Sequence, residues 1–275
     1  MALMLFLICD TGSASESPRR IISLAPAITE ILFVLGLEER IVGVTNFCDY
    51  PEETKKKSRV GGLSNPSLET VIALRPDLVL LSIDGNPKEF EERLRSMGIK
   101  TFVQRSKRIS ELPEGIRKIG SATGSDIKAE GFAREVEEKI KSIIENQNAY
   151  MKLSHSVKKP KILFIVWPEP LIVAGPGSIA DDALLLLGTE NIAIDTRSAY
   201  PKYSIEEIIR RAPDIIFIGK GKNSMNTVSE GLLNRLKSVP AVKNNKVFYV
   251  SDYLYRLGPR TMKGVEELAG HIQQH

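Results

Sequence analysis

The feature that most constrains the fold is an internal repeat. The segment from Glu69 to Ser82 aligns with the segment from Glu206 to Gly219 at a constant offset of 206 − 69 = 137 residues, which pairs Pro76 with Pro213. Each copy has the pattern of a helix, a Pro-Asp turn and a buried strand. Two copies of one α/β unit predict two Rossmann-like lobes with mostly parallel sheets, and a cleft between them in which a small ligand binds.

The stretch between the two copies predicts one long helix. From Ser125 to about Leu153 there is no proline, and apolar residues recur at helical spacing: Val136, Ile140, Ile143 or Ile144, and Met151. A helix between two similar lobes acts as their connector. We therefore expect four segments: a signal-like leader at 1–15, a first α/β lobe at 16–123, a connecting helix at 124–157 and a second α/β lobe at 158–275.

Within the lobes, short β-branched runs alternate with helical patterns, as in βαβ units. The predicted strands are Arg20–Ser23, Ile41–Thr45, Leu78–Ser82, Lys100–Gln104 and Ile162–Trp167. The predicted helices are Thr29–Leu35, Leu68–Leu74 and Glu89–Met97, of which the first and last end at glycines.

The beginning of the chain predicts export. An apolar run from Ala2 to Cys9 is shorter than the roughly 20 residues that span a bilayer, and the small polar residues after it resemble a secretory cleavage region. The run lacks a preceding Lys or Arg, so we expect the true start to lie upstream. Removal of the leader would leave Cys48 as the sole cysteine, and no intrachain disulfide could form.

Composition and motifs narrow the function further. The net charge of +4 is spread along the chain, which argues against nucleic acid or a membrane surface as the partner. Phosphate-loop, zinc-protease, dinucleotide-binding and nucleophile-elbow motifs are absent. The histidines His155, His271 and His275 lie away from the predicted cleft loops, and we expect them to be exposed. The sequence thus predicts neither a metal site nor a cofactor.

Polar and aromatic residues follow the predicted strands, at the edge where a ligand cleft forms in such folds. A broad, partly apolar ligand suits this combination of side chains. An enzyme that uses Asp49 and Asp252 as acid and base is an alternative, although no nucleophile or cofactor loop supports it. The loops concerned are Asn46–Pro51, Gly61–Leu63, Ser82–Asn86, Trp167–Pro170, Ser198–Pro201 and Ser251–Arg256.

Taken in order, several stretches resemble the class III solute-binding proteins of ABC importers, the group that delivers vitamin B12, ferric siderophores and haem. They are RIISLAPAITEILFVLG from Arg20, the DYP loop at Asp49, SLETVIALRPDLVL from Ser67, VAGPGS from Val173, GTENIAIDT from Gly188, SIEEIIRRAPDII from Ser204 and SDYLYRLGPR from Ser251. The resemblance extends from about Arg20 to the C-terminus. It implies a non-enzymatic, exported protein, periplasmic or tethered to the outer face of the cytoplasmic membrane.

Within that group the motifs most resemble the cobalamin-binding proteins, which implies a corrinoid as the transported ligand. Phe47 and Tyr200 fall at aromatic positions of the cleft, whereas Leu63 and Ser82 fall where tryptophans occur. Those two departures remove part of an aromatic wall, which we expect Trp167 to replace from the other lobe. A ferric siderophore or haem remains the alternative ligand.

The resemblance also implies polar ligand contacts. Asp252 and Arg256 match a polar pair at the cleft, and an Arg beside an Asp can bind the amide and phosphate groups that surround a corrin ring. Asp49 and Tyr50, in the DYP loop, complete the predicted ligand-binding set.

Two equivalent glutamates are predicted to contact the transporter. Glu69 and Glu206 each begin a helix, where a carboxylate is favoured by the helix dipole in any case. One per lobe, they would form a pair related by pseudo-twofold symmetry, which matches a twofold-symmetric membrane partner. In the family, glutamates at these positions dock on arginines of the permease dimer. The expected partners are therefore that dimer with its ATPase subunits and one small molecule, with the binding protein a monomer.

Overall fold

The first lobe is built on a parallel five-stranded sheet. The structure is a computed structural model that describes residues 17–153, 158–220 and 225–273. The strand order is β3-β2-β1-β4-β5, and every neighbouring pair is parallel. The strands are β1 (Ile21–Ser23), β2 (Ile41–Val44), β3 (Ser58–Arg59), β4 (Leu78–Ser82) and β5 (Thr101–Gln104). The helices between and after them are α1 (Pro26–Val34), α2 (Leu68–Ala73), α3 (Lys88–Ser96) and α4 (Leu112–Thr123).

The second lobe repeats this plan with one antiparallel strand. Its sheet has the order β10-β9-β6-β7, with β8 paired to the first residues of β6. Among the strand pairs that the structure describes in this lobe, only β6–β7 is antiparallel. The strands are β6 (Lys161–Pro168), β7 (Leu171–Val173), β8 (Glu190–Asn191), β9 (Ile215–Gly219) and β10 (Val247–Val250). The helices after α5 (Asp126–Leu153) are α6 (Ile179–Leu186), α7 (Ile205–Arg211), α8 (Met225–Arg235), α9 (Pro240–Lys243) and α10 (Thr261–Gln273).

The predicted fold class is confirmed, and the repeat holds at the level of single backbone angles. Arg75 and Ala212, which are 137 residues apart, both have positive φ, 46° and 49°, although neither is glycine. Each is followed by Pro and then by an Asp whose carboxylate accepts backbone N–H groups at the start of the neighbouring strand. Asp77 accepts from Arg20, and Asp214 accepts from Lys161. The Pro-Asp turn therefore fastens each helix–strand unit to its sheet in the same way.

The elements predicted from the sequence agree with the structure to within a few residues. The helix α1 begins three residues before the predicted Thr29, because Pro26 occupies its first turn, where proline is tolerated. The long helix α5 covers Asp126–Leu153, against the predicted Ser125 to about Leu153. The strands β3 and β8 were not predicted, since two residues are too few to show a period.

The connector α5 also supplies part of the core. Ala129, Ala133, Val136 and Ile143 are buried in one hydrophobic cluster that takes in residues of both sheets. Ile140 packs against the same cluster, whereas the side chain of Met151 lies outside the described residues. Because a close-packed interior resists deformation, a shared cluster holds the two lobes together more firmly than a single helix would.

A buried ion pair joins the lobes. Glu30 of α1 is 4% exposed, and its carboxylate accepts two hydrogen bonds from Arg260, at 3.0 Å from Nε and 2.6 Å from Nη2. The hydrogen bonds that Arg260 donates to Glu30 raise the pKa of Arg260 above its ordinary value. Nearby, Gly258 lies so close to Ala27 that an added Cβ would be only 3.2 Å from the alanine methyl. The start of α1 and the loop before α10 thus form a direct contact between lobes.

One expectation about histidines is wrong. His271 of α10 is half-buried and stacks on Phe248, with ring centroids 4.3 Å apart, and its Nδ1 is buried without a hydrogen-bond partner. The pattern of α10 accounts for this, since Leu268 and Ile272 on either side are buried. His155 and His275 lie outside the described residues.

We predict that Glu30→Gln lowers the free energy of unfolding by about 3 kcal/mol, because it leaves the largely buried Arg260 without its counter-charge. Urea denaturation at constant m-value would measure the change. Glu52→Gln is the control, since the Glu52–Lys55 pair is exposed and should contribute nothing measurable. A Glu30→Gln protein as stable as the wild type would show that this pair does not hold the lobes together.

Candidate functional site

The carboxyl ends of the strands in both sheets face one cleft. In the first lobe the loops after β2, β3 and β4 carry the residues Asn46–Tyr50, Gly61–Leu63 and Ile83–Asn86. In the second lobe the corresponding loops follow β6 and β10, and a further loop precedes α7. Contacts between Asp49 and Arg256, and between Tyr50 and Arg260, show that these loops approach one another across the two lobes. A crevice beyond the carboxyl ends of parallel strands is the usual ligand site in such folds.

Aromatic side chains on these loops are left exposed. Phe47, Tyr50, Trp167 and Tyr200 are 43–55% exposed, two from each lobe. Aromatic rings bury large apolar areas when they can, so four half-exposed rings at strand ends form a surface suited to a flat, partly apolar ligand. The indole Nε1 of Trp167 donates to the carbonyl of Glu169 at 2.6 Å, which fixes the ring at the end of β6.

An ion pair crosses the mouth of the cleft. Nη1 of Arg256 lies 3.1 Å from Oδ1 of Asp49, 207 residues away in the sequence. Burial alone would raise the pKa of the Asp49 carboxyl, but the hydrogen bond and positive charge of Arg256 outweigh it and hold that pKa below its usual value. A carboxylate held in its ionised form is poorly suited to act as a general acid.

A second arginine, Arg260, lies between aromatic rings from both lobes. The guanidinium carbon of Arg260 lies 4.5 Å from the ring centroid of Tyr50 and 5.3 Å from that of Tyr253. Both are cation–π contacts. Because Arg260 also binds Glu30, the predicted ligand residue Tyr50 rests on the same ion pair that joins the lobes.

In the first lobe, Asn86 organises the wall of the cleft. Its amide nitrogen donates to the carbonyls of Leu24, at 3.0 Å, and Leu63, at 2.8 Å, while its Oδ1 accepts from the N–H of Ser82 at 2.7 Å. Three strand-end loops are therefore tied together by one side chain. Leu63 also packs against Gly85, whose φ of 117° favours glycine.

On the opposite wall, two tyrosines remain protonated at neutral pH. Burial raises the pKa of Tyr200, and the negative charge of Asp84 from the first lobe raises it further. Burial, followed by the charge of Asp252, raises the pKa of Tyr255 to about 12. Tyr255 donates to the carbonyl of Val166 and lies against Gly219, where any side chain would collide with its hydroxyl.

The predicted ligand-binding residues thus lie at the strand ends and on the loops of one cleft. Direct contact joins Asp49 to Arg256, Tyr50 joins the ring cluster around Arg260, and Asn86 links Leu63 to Ser82. Phe47 lies beside Gly62, Asp252 begins the short 3-10 turn that ends at Tyr255, and Tyr200 faces Asp84. No hydrogen bond or ring contact joins Trp167 to another predicted residue within the described part of the chain.

Sequence reasoning missed Glu30, Asn86, Tyr253 and Arg260. A signal for Glu30 was present, because an acidic residue inside the otherwise apolar run of α1 requires a buried partner. Asn86 lies in a loop that was singled out, but its three backbone partners are set by tertiary structure.

The two glutamates predicted to dock lie on exposed, equivalent positions at the rim. Ser67 caps α2 and Ser204 caps α7, so Glu69 and Glu206 occupy the same place in the first turn of each helix. Neither carboxylate has a hydrogen-bond or ion-pair partner among the described residues. Glu207 differs, because Arg210 and Arg211 bind it and lower its pKa to about 2.

The described residues form neither a metal site nor a membrane-spanning helix. Across residues 17–153, 158–220 and 225–273, no group of three or more His, Cys, Asp or Glu side chains could hold a metal ion. In the same ranges, no helix is both long and apolar enough to cross a membrane.

Two α/β lobes, a connecting helix and a cleft lined by strand-end loops define a two-lobed binding protein. The periplasmic binding protein family matches residues 21–254, and the chain belongs to that family. It is 28% identical over 262 residues to the vitamin B12-binding protein of Vibrio parahaemolyticus, covering 94% of this chain and 91% of that one.

Solved structures of two kinds are similar to it. The periplasmic vitamin B12 binding protein BtuF of Vibrio cholerae has a TM-score of 0.81 and 25% identity, covering 94% of this chain and 98% of that one. The periplasmic haem-binding protein RhuT of Roseiflexus sp. RS-1 has a TM-score of 0.80 and 26% identity, covering 93% and 98%. Relatives named for different ligands therefore share one fold, so the fold alone does not determine which ligand is bound.

We predict that Asn86→Ala lowers the free energy of unfolding by about 1–3 kcal/mol, because it leaves the carbonyls of Leu24 and Leu63 and the N–H of Ser82 without their partner. Asn86→Asp should cost more, since a carboxylate would face two carbonyl oxygens. Asn148→Ala, on the exposed side of α5, is the control and should not destabilise the protein. If both Asn86 variants are as stable as the control, Asn86 does not hold the wall.

Proposed function

We propose that this chain is the substrate-binding protein of an ABC importer, and that its cleft captures a corrinoid for delivery to the permease. The observation that carries the proposal is the composition of the cleft: four half-exposed aromatic rings together with an arginine whose partner, Asp49, comes from the opposite lobe. Rings can stack on a macrocycle, and a guanidinium can bind the amides and phosphate around it.

Capture, rather than catalysis, is favoured by the state of the polar groups. Asp49 is ionised against Arg256, and the Tyr200 phenol is protonated, so neither is poised to exchange a proton at neutral pH. Relatives in the family are binding proteins as well. We therefore infer that the chain is not an enzyme and carries no resident cofactor.

Within the ligand group, a corrinoid is favoured over haem by the relatives named vitamin B12-binding protein, which match 94% and 98% of this chain. The cleft suits that ligand, because the protonated phenol of Tyr200 can donate a hydrogen bond to an amide. The haem or siderophore alternative is supported by the likeness to RhuT and by Leu63 and Ser82, which make this wall less aromatic than the resemblance implies.

Ligand binding can be followed by fluorescence, because the chain has one tryptophan, Trp167, and we place it at the cleft. Cyanocobalamin, haem and ferric siderophores would be compared by equilibrium dialysis, with quenching of Trp167 emission as the second readout. We expect cyanocobalamin to bind most tightly and Arg256→Ala to weaken it about tenfold, while Arg93→Ala on α3 leaves it unchanged. Tighter binding of haem or a siderophore would replace the corrinoid, and turnover of any bound ligand would favour an enzyme.

For delivery, we propose that Glu69 and Glu206 dock on basic residues of the permease dimer. Their equivalence in the repeat, their exposure and their lack of partners among the described residues support this role. We further propose that the protein is a monomer and does not bind nucleic acid. In this role it acts outside the cytoplasmic membrane, either in the periplasm or tethered to the outer face of that membrane.

We predict that reversing Glu69 and Glu206 to Arg abolishes uptake by the reconstituted importer and leaves calorimetric ligand affinity unchanged. Rim charges govern docking and register, and reversal sets like charges against the permease. Loss of the helix-start interaction should cost only about 0.3–1 kcal/mol per site, so the fold survives. Glu138→Arg, an exposed glutamate of α5, is the matched control. Normal transport by the double variant would reject the docking role of these glutamates.

A further inference from the structure

The helices α2 and α7, which carry Glu69 and Glu206 at the rim of the cleft, each expose an isoleucine as well as that glutamate. Ile72 of α2 is 38% exposed and Ile209 of α7 is 43% exposed, and the two are 137 residues apart, like Glu69 and Glu206. Residues three apart lie on the same side of a helix. Each lobe therefore presents the same pair of side chains, a carboxylate and a branched apolar group one turn later.

The isoleucines are not needed by the core of either lobe. In α2, Val71 is fully buried and Leu68 packs beside it. In α7, Ile208 and Ile205 occupy the equivalent inward positions. Other apolar residues thus already form the side of each helix that packs against its lobe, and Ile72 and Ile209 lie outside that side. One exposed isoleucine would be ordinary, but two at equivalent positions, each beside an exposed carboxylate, form a repeated surface.

We propose that Ile72 and Ile209 are the apolar anchors of the docking surface, each entering an apolar depression beside a basic group on one half of the permease dimer. This inference rests on the proposed function. Charge and symmetry identify the occupant: carboxylates without a partner among the described residues favour a basic partner, and two equivalent lobes favour a partner with two equivalent sites. The glutamates set the approach and register, while the isoleucines, which bury apolar area on contact, slow dissociation.

The two kinds of side chain can be separated by kinetics. The permease–ATPase complex of the source organism would be reconstituted in nanodiscs and titrated with the ligand-loaded binding protein. Ile72→Ala and Ile209→Ala should each weaken the complex about tenfold, through faster dissociation that changes little with salt. Glu69→Gln and Glu206→Gln should instead slow association, with an effect that fades as salt is raised.

Ile127→Ala is the matched control. Ile127 is 91% exposed at the start of α5 and lies beside the residues where α1 and α4 end, which is the opposite end of the first lobe from the start of α2. It should leave the complex unchanged, and all variants should keep wild-type ligand affinity. If the wild type binds the permease but both isoleucine variants bind equally well, the anchors are wrong and the proposed function stands. If the loaded wild type does not bind at all, the proposed function itself fails.

Discussion

The contact between Glu30 and Arg260 is the constraint on which the rest of the structure depends. It lies where α1 of the first lobe meets the loop before α10 of the second, and it is largely buried. A buried pair contributes little net stability, but it is costly to break, so it holds one relative position of the lobes. Tyr50 rests on the same guanidinium, so the placement of one cleft wall follows from this pair.

Strand direction explains why the ligand cleft and the rim share one side of the molecule. All strands of the first sheet are parallel, and each helix that follows a strand returns antiparallel to it. The carboxyl ends of strands and the first turns of helices therefore lie at the same edge. Because α2 and α7 are copies of one unit, their first turns repeat there, one per lobe. A partner that docks on this edge contacts both lobes and lies over the cleft.

How much could be predicted from the sequence depended on the range of the interactions. The helix α5 has a local periodic pattern, and the strands β4 and β9 are apolar runs that occur at equivalent places in the two copies of the repeat. Pairings such as Arg256 with Asp49 join residues 207 positions apart and leave no local pattern. Leu63 and Ser82 could be assigned to one wall from the resemblance, but their fastening by Asn86 depends on three loops that meet only after folding.

The side chains proposed to bind the ligand and those proposed to dock are supported by different parts of the fold. The cleft side chains lie on loops whose conformation is fixed by half-buried side chains such as Asn86 and Arg260, so exposed positions such as Phe47 can change without disturbing the frame. The rim side chains instead project from short capped helices that are fastened to the sheets by Asp77 and Asp214. Under the proposed function, ligand choice and transporter contact are thus set by different residues on one edge. Such a division would allow relatives named for vitamin B12 and for haem to share the fold.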